Sequence, residues 1–327
     1  MDNLRNTVAA KILNNISPRV KPIEYLMVSL NISRESVYRR IRGDISFTLE
    51  EVAKLSVELG FSIDELFTQN VRSRVFFDLH TDNIQDPSDI YVTILEQYFQ
   101  CALDMTYDTF IESIQIINQV SPGFIVFFDH LLKFSYYRWM HQHQETSLKY
   151  FYSDVVVPEK LISLQRRAIE SVKRVQNTTI ILDPDLFTNL IHAVQYYYRR
   201  RLINDKEFFE IKKDLLGLID MLENIAQVGF YGSESKYNIY LSSLNIDACS
   251  RYLRCEEQSK SLFFVNAVEP IIITNQTLCE THKKWLESMR KYATLITQSN
   301  EILQVRYFNK QRTHIKEIEE FSNIFSL

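Results

Sequence analysis

Glycine and proline are scarce in this sequence, with 6 glycines and 7 prolines among 327 residues. Because these two residue types interrupt helices and strands, their scarcity predicts long helices joined by short turns. Cysteine is also rare: the four cysteines form no CxxC pair and have no histidine at metal-ligand spacing. This pattern argues against a disulfide framework and a zinc site, and it is typical of reduced thiols in a cytoplasm.

Long apolar segments are missing as well. The best candidate is GFIVFFDHLLKF at residues 123–134, which is shorter than the roughly 18 apolar residues that cross a bilayer and contains Asp129, His130 and Lys133. We interpret it as a buried helix and expect no membrane partner. The first residues lack the apolar core of a signal peptide, so we expect a cytoplasmic protein.

Catalytic motifs are absent from the sequence. It contains no glycine-rich phosphate loop, GxSxG elbow, HExxH pair or DxDxDG-type loop. His141 and His143 stand two residues apart, which would place them on different faces of a helix, so we interpret them as surface residues. The run YYYRRR at residues 196–201 combines aromatic and basic residues as nucleic-acid sites do, but we interpret it as a helix with a buried tyrosine side and a solvated basic end. We predict no enzymatic activity, no metal and no cofactor.

What the sequence does contain, in residues 1–70, is a series of helix-capping signals with apolar periodicity. Pro22 stands where the first residue of a helix belongs, and Ser33 can cap the next helix through its hydroxyl group. Thr48 begins a capping box for a fourth helix, and a similar box begins a fifth at residues 62–67. These signals predict a domain of five short helices.

The charge of this domain is strongly polarised. Residues 17–43 hold six basic and two acidic side chains, whereas residues 44–70 hold one basic and six acidic side chains. A one-sided basic face is the electrostatic pattern expected for binding to a polyanion. In a helical projection of the third helix, Val37 and Ile41 face inward while Glu35, Arg39 and Arg42 face outward. Arginine can read guanine and glutamate can read cytosine in the DNA major groove.

The order of these elements resembles the helix-turn-helix domain of the Cro and lambda-repressor type, the XRE family. The matching segments are SRESVYRRIRG at residues 33–43 and DISFTLEEVAKLSVELGFSIDELF at residues 44–67. The resemblance covers about residues 5–68, a fifth of the chain. The sequence departs from the family at Arg40, where an apolar residue is usual, and this departure predicts a modest rotation of the third helix.

The resemblance implies a sequence-specific DNA-binding transcriptional regulator. The protein would act on double-stranded DNA as a homodimer, because one such module contacts only a short half-site. The helix at residues 33–42 would enter the major groove. The residues expected to read bases are Arg34, Glu35, Ser36 and Arg39. Those expected to contact phosphates or to position the helix are Lys21, Ser33, Tyr38, Arg40 and Arg42.

The rest of the chain is predicted in three parts. Residues 71–88 form a linker, and residues 89–228 form a helical domain, either a bundle or an array of helix pairs. Residues 229–327 form an α+β region with a helix at 277–299 and an antiparallel meander whose three strands are residues 237–246, 249–255 and 261–268. The predicted fold class is therefore mainly α, with a lambda-repressor-like domain at residues 1–70 and a small C-terminal α+β part.

Two roles for this larger part remain open on sequence grounds. It can supply dimerisation and sense a small-molecule or peptide effector, in which case its many aromatic residues line a ligand cavity, a bulky core or a dimer interface. Alternatively, it is a peptide-sensing or protein-interaction scaffold of helical repeats, with an accessory DNA-binding domain. Helix pairs in a superhelix would favour the scaffold, and a compact bundle capped by a sheet would favour the regulator.

Overall fold

The computed structural model describes residues 2–16, 20–61, 63, 86–103, 110–142, 146–232, 235–256, 258–265 and 269–320. The chain divides into two compact units, residues 1–78 and 79–327. Apart from Ile63, the predicted fifth helix at residues 62–67 lies outside the described residues.

The described helices of the first unit begin and end where capping chemistry requires. They are α1 (Asp2–Asn15), α2 (Pro22–Leu30), α3 (Arg34–Ile41) and α4 (Leu49–Leu59). The Oγ of Ser33 accepts a hydrogen bond from the backbone N–H of Ser36 at 3.3 Å, so the predicted cap of α3 is confirmed. The predicted capping box of α4 is confirmed as well: Glu51 N–H donates to Thr48 Oγ1, and Thr48 N–H donates to the Glu51 carboxylate.

A small apolar core joins these four helices. Val37 on α3 is 1% exposed, whereas Ile41, the second residue predicted to face inward, is only partly buried. Helix α1 packs on α3 and α4, and α2 packs on α3. The buried core residues are Ile12, Ile16, Leu26, Val37, Val52, Leu55 and Phe61.

The second unit is built on one mixed sheet, which has eight strands within the described residues. Along the sheet the order is β3, β4, β2, β1, β5, β6, β7, and β8 pairs with β4. Strands β1, β2 and β4 are parallel, while the other pairings are antiparallel. The strands are β1 (Ile111–Ile117), β2 (Asn177–Leu182), β3 (Phe230–Tyr231), β4 (Ser235–Ser242), β5 (Ser250–Cys255), β6 (Gln258–Val265), β7 (Glu269–Ile273) and β8 (Ala293–Leu295).

Helices cover both faces of this sheet. The α-helices are α5 (Pro87–Leu103), α6 (Pro122–Ile125), α7 (Asp129–Gln142), α8 (Glu159–Val172), α9 (Thr188–Arg199), α10 (Asp205–Val228), α11 (Gln276–Met289) and α12 (Glu301–Glu320). On one face Ile116 and Ile181 pack against α11 through Leu286. On the other face Ile180 and Leu182 pack with residues of α7, α9, α10 and α12 in the largest core. The result is a three-layer α/β/α arrangement.

The prediction of a mainly α fold with a helical bundle or helix-pair array is wrong. Strands β1 and β2 lie inside the region predicted to be helical, at residues 89–228, and they pair with β4 and β5 from the following region. The apolar residues of β1 and β2 face helices on both sides of the sheet, so their sequences, IESIQII and NTTIIL, lack the alternation that marks a half-exposed strand. Short apolar runs of this kind do not distinguish a strand from a buried helix.

The predicted three-stranded meander is also wrong in its pairing. The segments at residues 237–246 and 249–255 do contain strands, β4 and β5, but these strands do not pair with each other. Instead β4 pairs with β2 in parallel, β5 pairs with β1, and the antiparallel meander consists of β5, β6 and β7. The helix predicted at residues 277–299 ends at Met289 as α11, and β8 follows it.

Candidate nucleic-acid interface

The loop between α2 and α3 is a tight turn of three residues, 31–33. Asn31 adopts the left-handed conformation with φ of 54°, and its N–H donates to the carbonyl of Met27. The N–H of Ile32 donates to the same carbonyl at 3.3 Å. Asparagine tolerates this backbone conformation better than most residues with a side chain. Helices α2 and α3 are thus two short helices joined by a tight turn, the element order that the sequence predicted.

Helix α3 presents its charged side to solvent because Val37 anchors the opposite side in the core. Glu35 and Arg39 lie one turn apart on this outer side, and both are exposed. Their side chains make no hydrogen bond or ion pair with any described residue. A carboxylate and a guanidinium without protein partners keep all their acceptors and donors for an external ligand.

Tyr38 lies between two arginines along the same helix. The Cζ atoms of Arg34 and Arg42 are 5.9 and 5.8 Å from the centre of the Tyr38 ring. Cation–π contacts at exposed sites contribute about 0.5–1 kcal/mol each, so they restrain both long side chains along the helix surface. Arg34, Tyr38 and Arg42 therefore form a continuous cationic stripe, which is the form in which a helix can follow a phosphate backbone. For Arg34, which the sequence predicted to read bases, this position favours a phosphate contact instead.

Arg40 lies on the inner side of α3. Its Nε and Nη2 donate to the carboxylate of Glu51 at 3.0 and 2.8 Å, and its Nη1 donates to the carbonyl of Ser36 at 3.4 Å. The Arg40 and Glu51 side chains are only 13% and 17% exposed. Of the two predicted roles for Arg40, phosphate contact and positioning, this geometry favours positioning: the ion pair holds α3 against α4 where the family usually has an apolar residue.

A second link joins α2 to α4 through Glu58. Its carboxylate accepts hydrogen bonds from the hydroxyl groups of Tyr25, at 3.2 Å, and Ser29. The hydrogen bond from Ser29 holds the pKa of Glu58 below its usual range, so this carboxylate stays ionised. Lys54 forms an ion pair with Glu58 at 3.8 Å and donates to the carbonyl of Ser29. Sequence reasoning did not identify Glu51 or Glu58 as supports of the helix pair, since their partners lie 11 to 33 residues away.

The remaining predicted site residues lie at helix N-termini. Lys21 precedes α2, is highly exposed and pairs with Glu24 at 3.2 Å. Ser33 donates from its hydroxyl group to the Oγ of Ser36 at 3.1 Å, so the two serines form a local pair at the start of α3. Both serine side chains sit beside the exposed N–H groups of the first turn, a position that suits a phosphate oxygen.

Parallel sheets usually bind ligands at the carboxyl ends of their strands, and in the described part of the second unit the polar side chains at these ends bind other parts of the protein. The carboxylate of Asp183, after β2, accepts the N–H groups of Asp185 and Ile246 at 2.7 and 2.6 Å. Asn118, after β1, accepts the Cys249 thiol at 2.9 Å, and burial raises the pKa of that thiol. Within the described residues, these hydrogen bonds fix the loop at residues 243–249 across the ends of the strands.

The predicted surface position of His141 is wrong. This histidine is 9% exposed and packs between the rings of Tyr137 and Tyr197, with ring centroids 5.6 and 5.0 Å away. His143 lies outside the described residues. Among the described residues, no group of three or more His, Cys, Asp and Glu side chains is arranged to hold a metal ion.

No protein family model, curated protein or solved structure matches the chain. In the part of the chain that the structure describes, no helix is both long and apolar enough to cross a membrane.

Proposed function

We propose that the first unit is an XRE-type helix-turn-helix module that binds double-stranded DNA in a sequence-specific manner. The observation that carries this proposal is the outer side of α3, where Glu35 and Arg39 are exposed and have no described protein partner. Arginine forms two hydrogen bonds with guanine O6 and N7, and glutamate accepts one from cytosine N4. Helix α3 then lies in the major groove with these two side chains at base edges.

The neighbouring residues support the same orientation. Arg34 and Arg42, restrained by Tyr38, lie along one edge of the proposed base-reading side. Ser33, Ser36 and the first N–H groups of α3 stand at its beginning. Phosphate contacts from arginine, hydroxyl groups and helix N-termini determine the register of a protein on a duplex, while the base contacts supply specificity.

The protein as a whole is proposed to be a transcriptional regulator that acts as a homodimer. One helix-turn-helix unit contacts only a short half-site, and pairing two units raises both affinity and specificity. The second unit is the proposed source of dimerisation and signal sensing. The alternative of a helical-repeat scaffold requires helix pairs throughout residues 89–228, and the described part of that region contains two strands of a mixed sheet.

A selection from random DNA duplexes with the intact protein tests the proposal. We expect an enriched motif made of two inverted half-sites separated by about one helical turn, roughly 34 Å. Arg39→Ala should cost about 1–3 kcal/mol at one base position in each half-site and relax the preference there. The motif is read by sequencing, and its affinity by titration at a fixed salt concentration.

Arg306→Ala is the matched control, because Arg306 is an exposed arginine of α12 in the second unit. It should leave the motif unchanged. The absence of any enriched motif would exclude sequence-specific binding. An Arg39 variant that selects the same motif with the same preference at every position would exclude the assignment of Arg39 to base reading.

A further inference from the structure

A cleft of about 680 Å³ lies between α9 and α12 in the second unit. Its size falls within the range of about 300–1,000 Å³ that is typical of small-molecule sites. Most of its wall comes from one side of α9, and α12 contributes the opposite wall. Its described polar lining consists of Thr188, His192, Gln195, Tyr196, Arg199, Arg200 and His314.

The lining of this cleft is cationic. It contains two arginines and two histidines, and none of the described residues that line it is an aspartate or a glutamate. Arg199 is exposed, and its side chain makes no hydrogen bond or ion pair with any described residue. The charge of an arginine without a carboxylate partner is not balanced by the protein, and all five of its N–H donors are available to a ligand.

Arg200 is held in place by the protein. Its Nη1 donates to the hydroxyl group of Tyr196 at 2.8 Å, and its Nη2 donates to the carbonyl of Leu148 at 3.1 Å. Its Cζ lies 5.3 Å from the centre of the Tyr196 ring. None of these partners neutralises the charge, and three of the five N–H donors remain. A guanidinium restrained in this way loses little conformational entropy when it binds an anion.

Three acidic side chains form ion pairs with cations of α12. Arg312 pairs with Asp220, at 2.6 Å, and with Glu223. Lys310 pairs with Asp185 at 2.8 Å. These three carboxylates are therefore paired, and none of them belongs to the described lining of the cleft.

The cleft also has an apolar part. The ring of Tyr196 supplies a half-exposed aromatic surface, whereas Ile191, which also lines the cleft, is only 3% exposed. An inorganic ion would leave this surface in water. An organic molecule with an anionic group would cover it, so the lining suits a ligand with both characters.

We propose that this cleft binds a small organic anion with a carboxylate or phosphate group. Arg199 and Arg200 bind the anionic group, Gln195 and the two histidines offer further hydrogen bonds, and the Tyr196 ring contacts the organic part. Guanidinium groups form strong charge-assisted hydrogen bonds with both carboxylates and phosphates. The proposal is independent of DNA binding and can succeed or fail without it.

Isothermal titration calorimetry of the intact protein tests the site with three probes: citrate for carboxylates, glucose 6-phosphate for phosphates, and glucose as the uncharged control. We expect at least one of the two anions to bind and glucose not to bind. Arg199→Gln should weaken the binding about tenfold or more, since it removes a charge-assisted contact. His314→Gln should also weaken it, because His314 lies on the opposite wall.

Arg201→Gln is the matched control: Arg201 follows directly in the same arginine run, is exposed and does not line the cleft. It should leave the affinity unchanged. Circular dichroism verifies that each variant is folded. Binding of citrate alone identifies a carboxylate site, binding of glucose 6-phosphate alone a phosphate site, and binding of both a site that selects for charge. The proposal is overturned if neither anion binds, or if Arg199→Gln binds as tightly as the unaltered protein.

Discussion

Arg40 donates two hydrogen bonds to the carboxylate of Glu51, from Nε at 3.0 Å and from Nη2 at 2.8 Å. The same carboxylate accepts the backbone N–H of Thr48 at 2.9 Å and so completes the capping box of α4. Glu51 therefore both caps the N-terminus of α4 and holds α3 against α4. This carboxylate therefore helps to orient the proposed DNA-reading helix, together with the packing of Val37 in the core.

Removing the ion pair should loosen α3. We expect Arg40→Ala to lower the free energy of unfolding of the first unit by about 1–3 kcal/mol, because it leaves a mostly buried carboxylate without its charged partner. Both tryptophans, Trp139 and Trp285, belong to the second unit, so their fluorescence does not report on this change. Amide hydrogen exchange of residues 34–41 is the suitable measurement, and exchange should become faster.

Arg39→Ala is the control for this experiment, since the Arg39 side chain lies on the same helix but has no described partner. It should leave the exchange of α3 unchanged. Equal protection in the Arg40 variant and the unaltered protein would show that the ion pair does not stabilise α3.

The left-handed residue in the turn gives a second prediction. Asn31→Ala should destabilise the first unit by about 1 kcal/mol: both residues bring a Cβ close to the following carbonyl oxygen in this conformation, but alanine lacks the short polar side chain that offsets this cost by local hydrogen bonding. Asn31→Gly should preserve or raise the stability, since glycine adopts positive φ without this cost. Thermal unfolding followed by far-UV circular dichroism distinguishes the two. Equal loss in both variants would mean that the asparagine side chain itself, and not its backbone conformation, stabilises the turn.

The cationic stripe gives a third prediction, which rests on the proposed DNA binding. Arg42→Gln should weaken binding to all DNA sequences to a similar extent and reduce the slope of log K against log salt by about 1, because one fewer phosphate is neutralised. The measurement is a titration at several salt concentrations with a specific and a random duplex. A loss confined to the specific duplex would instead assign Arg42 to base reading.

His282, on α11, gives a prediction about pH. Its ring nitrogens lie 2.8 Å from Ser261 Oγ and 3.0 Å from Ser250 Oγ, and burial lowers its pKa from 6.5 to about 4. Between these two pH values the unfolded chain binds a proton at this histidine and the folded protein does not. Stability should therefore fall as the pH decreases from 6.5 towards 4.

The test is the melting temperature of His282→Gln across the same pH interval. The variant should lose less stability on acidification than the unaltered protein, even though it is less stable near neutral pH. His192→Gln is the control, because His192 is exposed, and it should keep the full decrease. An unchanged pH profile in the His282 variant would mean that other groups cause the acid sensitivity.

The parts of the fold that could be predicted from the sequence are those that depend on local chemistry. Ser33 and Thr48 accept hydrogen bonds from N–H groups three residues later, and Pro22 has a fixed φ that suits the first residue of a helix. The helices that these residues begin could therefore be predicted without knowledge of the tertiary fold. The outward direction of Glu35 and Arg39 follows in the same way from the helical period and from the single buried position at Val37.

The same reasoning failed where packing determines the structure. In β2, Ile180 and Ile181 face opposite sides of the sheet and are both fully buried, so the strand shows no alternation. The parallel partner of β4 is β2, which lies more than fifty residues earlier along the chain, and no local signal indicates this pairing. The prediction of a mainly α fold was wrong because a strand that is buried on both faces of a sheet has a continuous apolar sequence, as a buried helix does.

Helices α2 and α3, the turn between them, their caps and the outward charges of α3 are thus encoded in local sequence, because each depends on contacts within one or two helical turns. Tertiary packing alone decided that Arg40 turns inward to Glu51 and that β1 and β2 join a mixed sheet. It also decided that Arg199 and His314 line the same cleft. These relationships join residues 11 to more than 100 positions apart. Their distances depend on the packing of whole helices and strands, and no short segment of the chain contains that information.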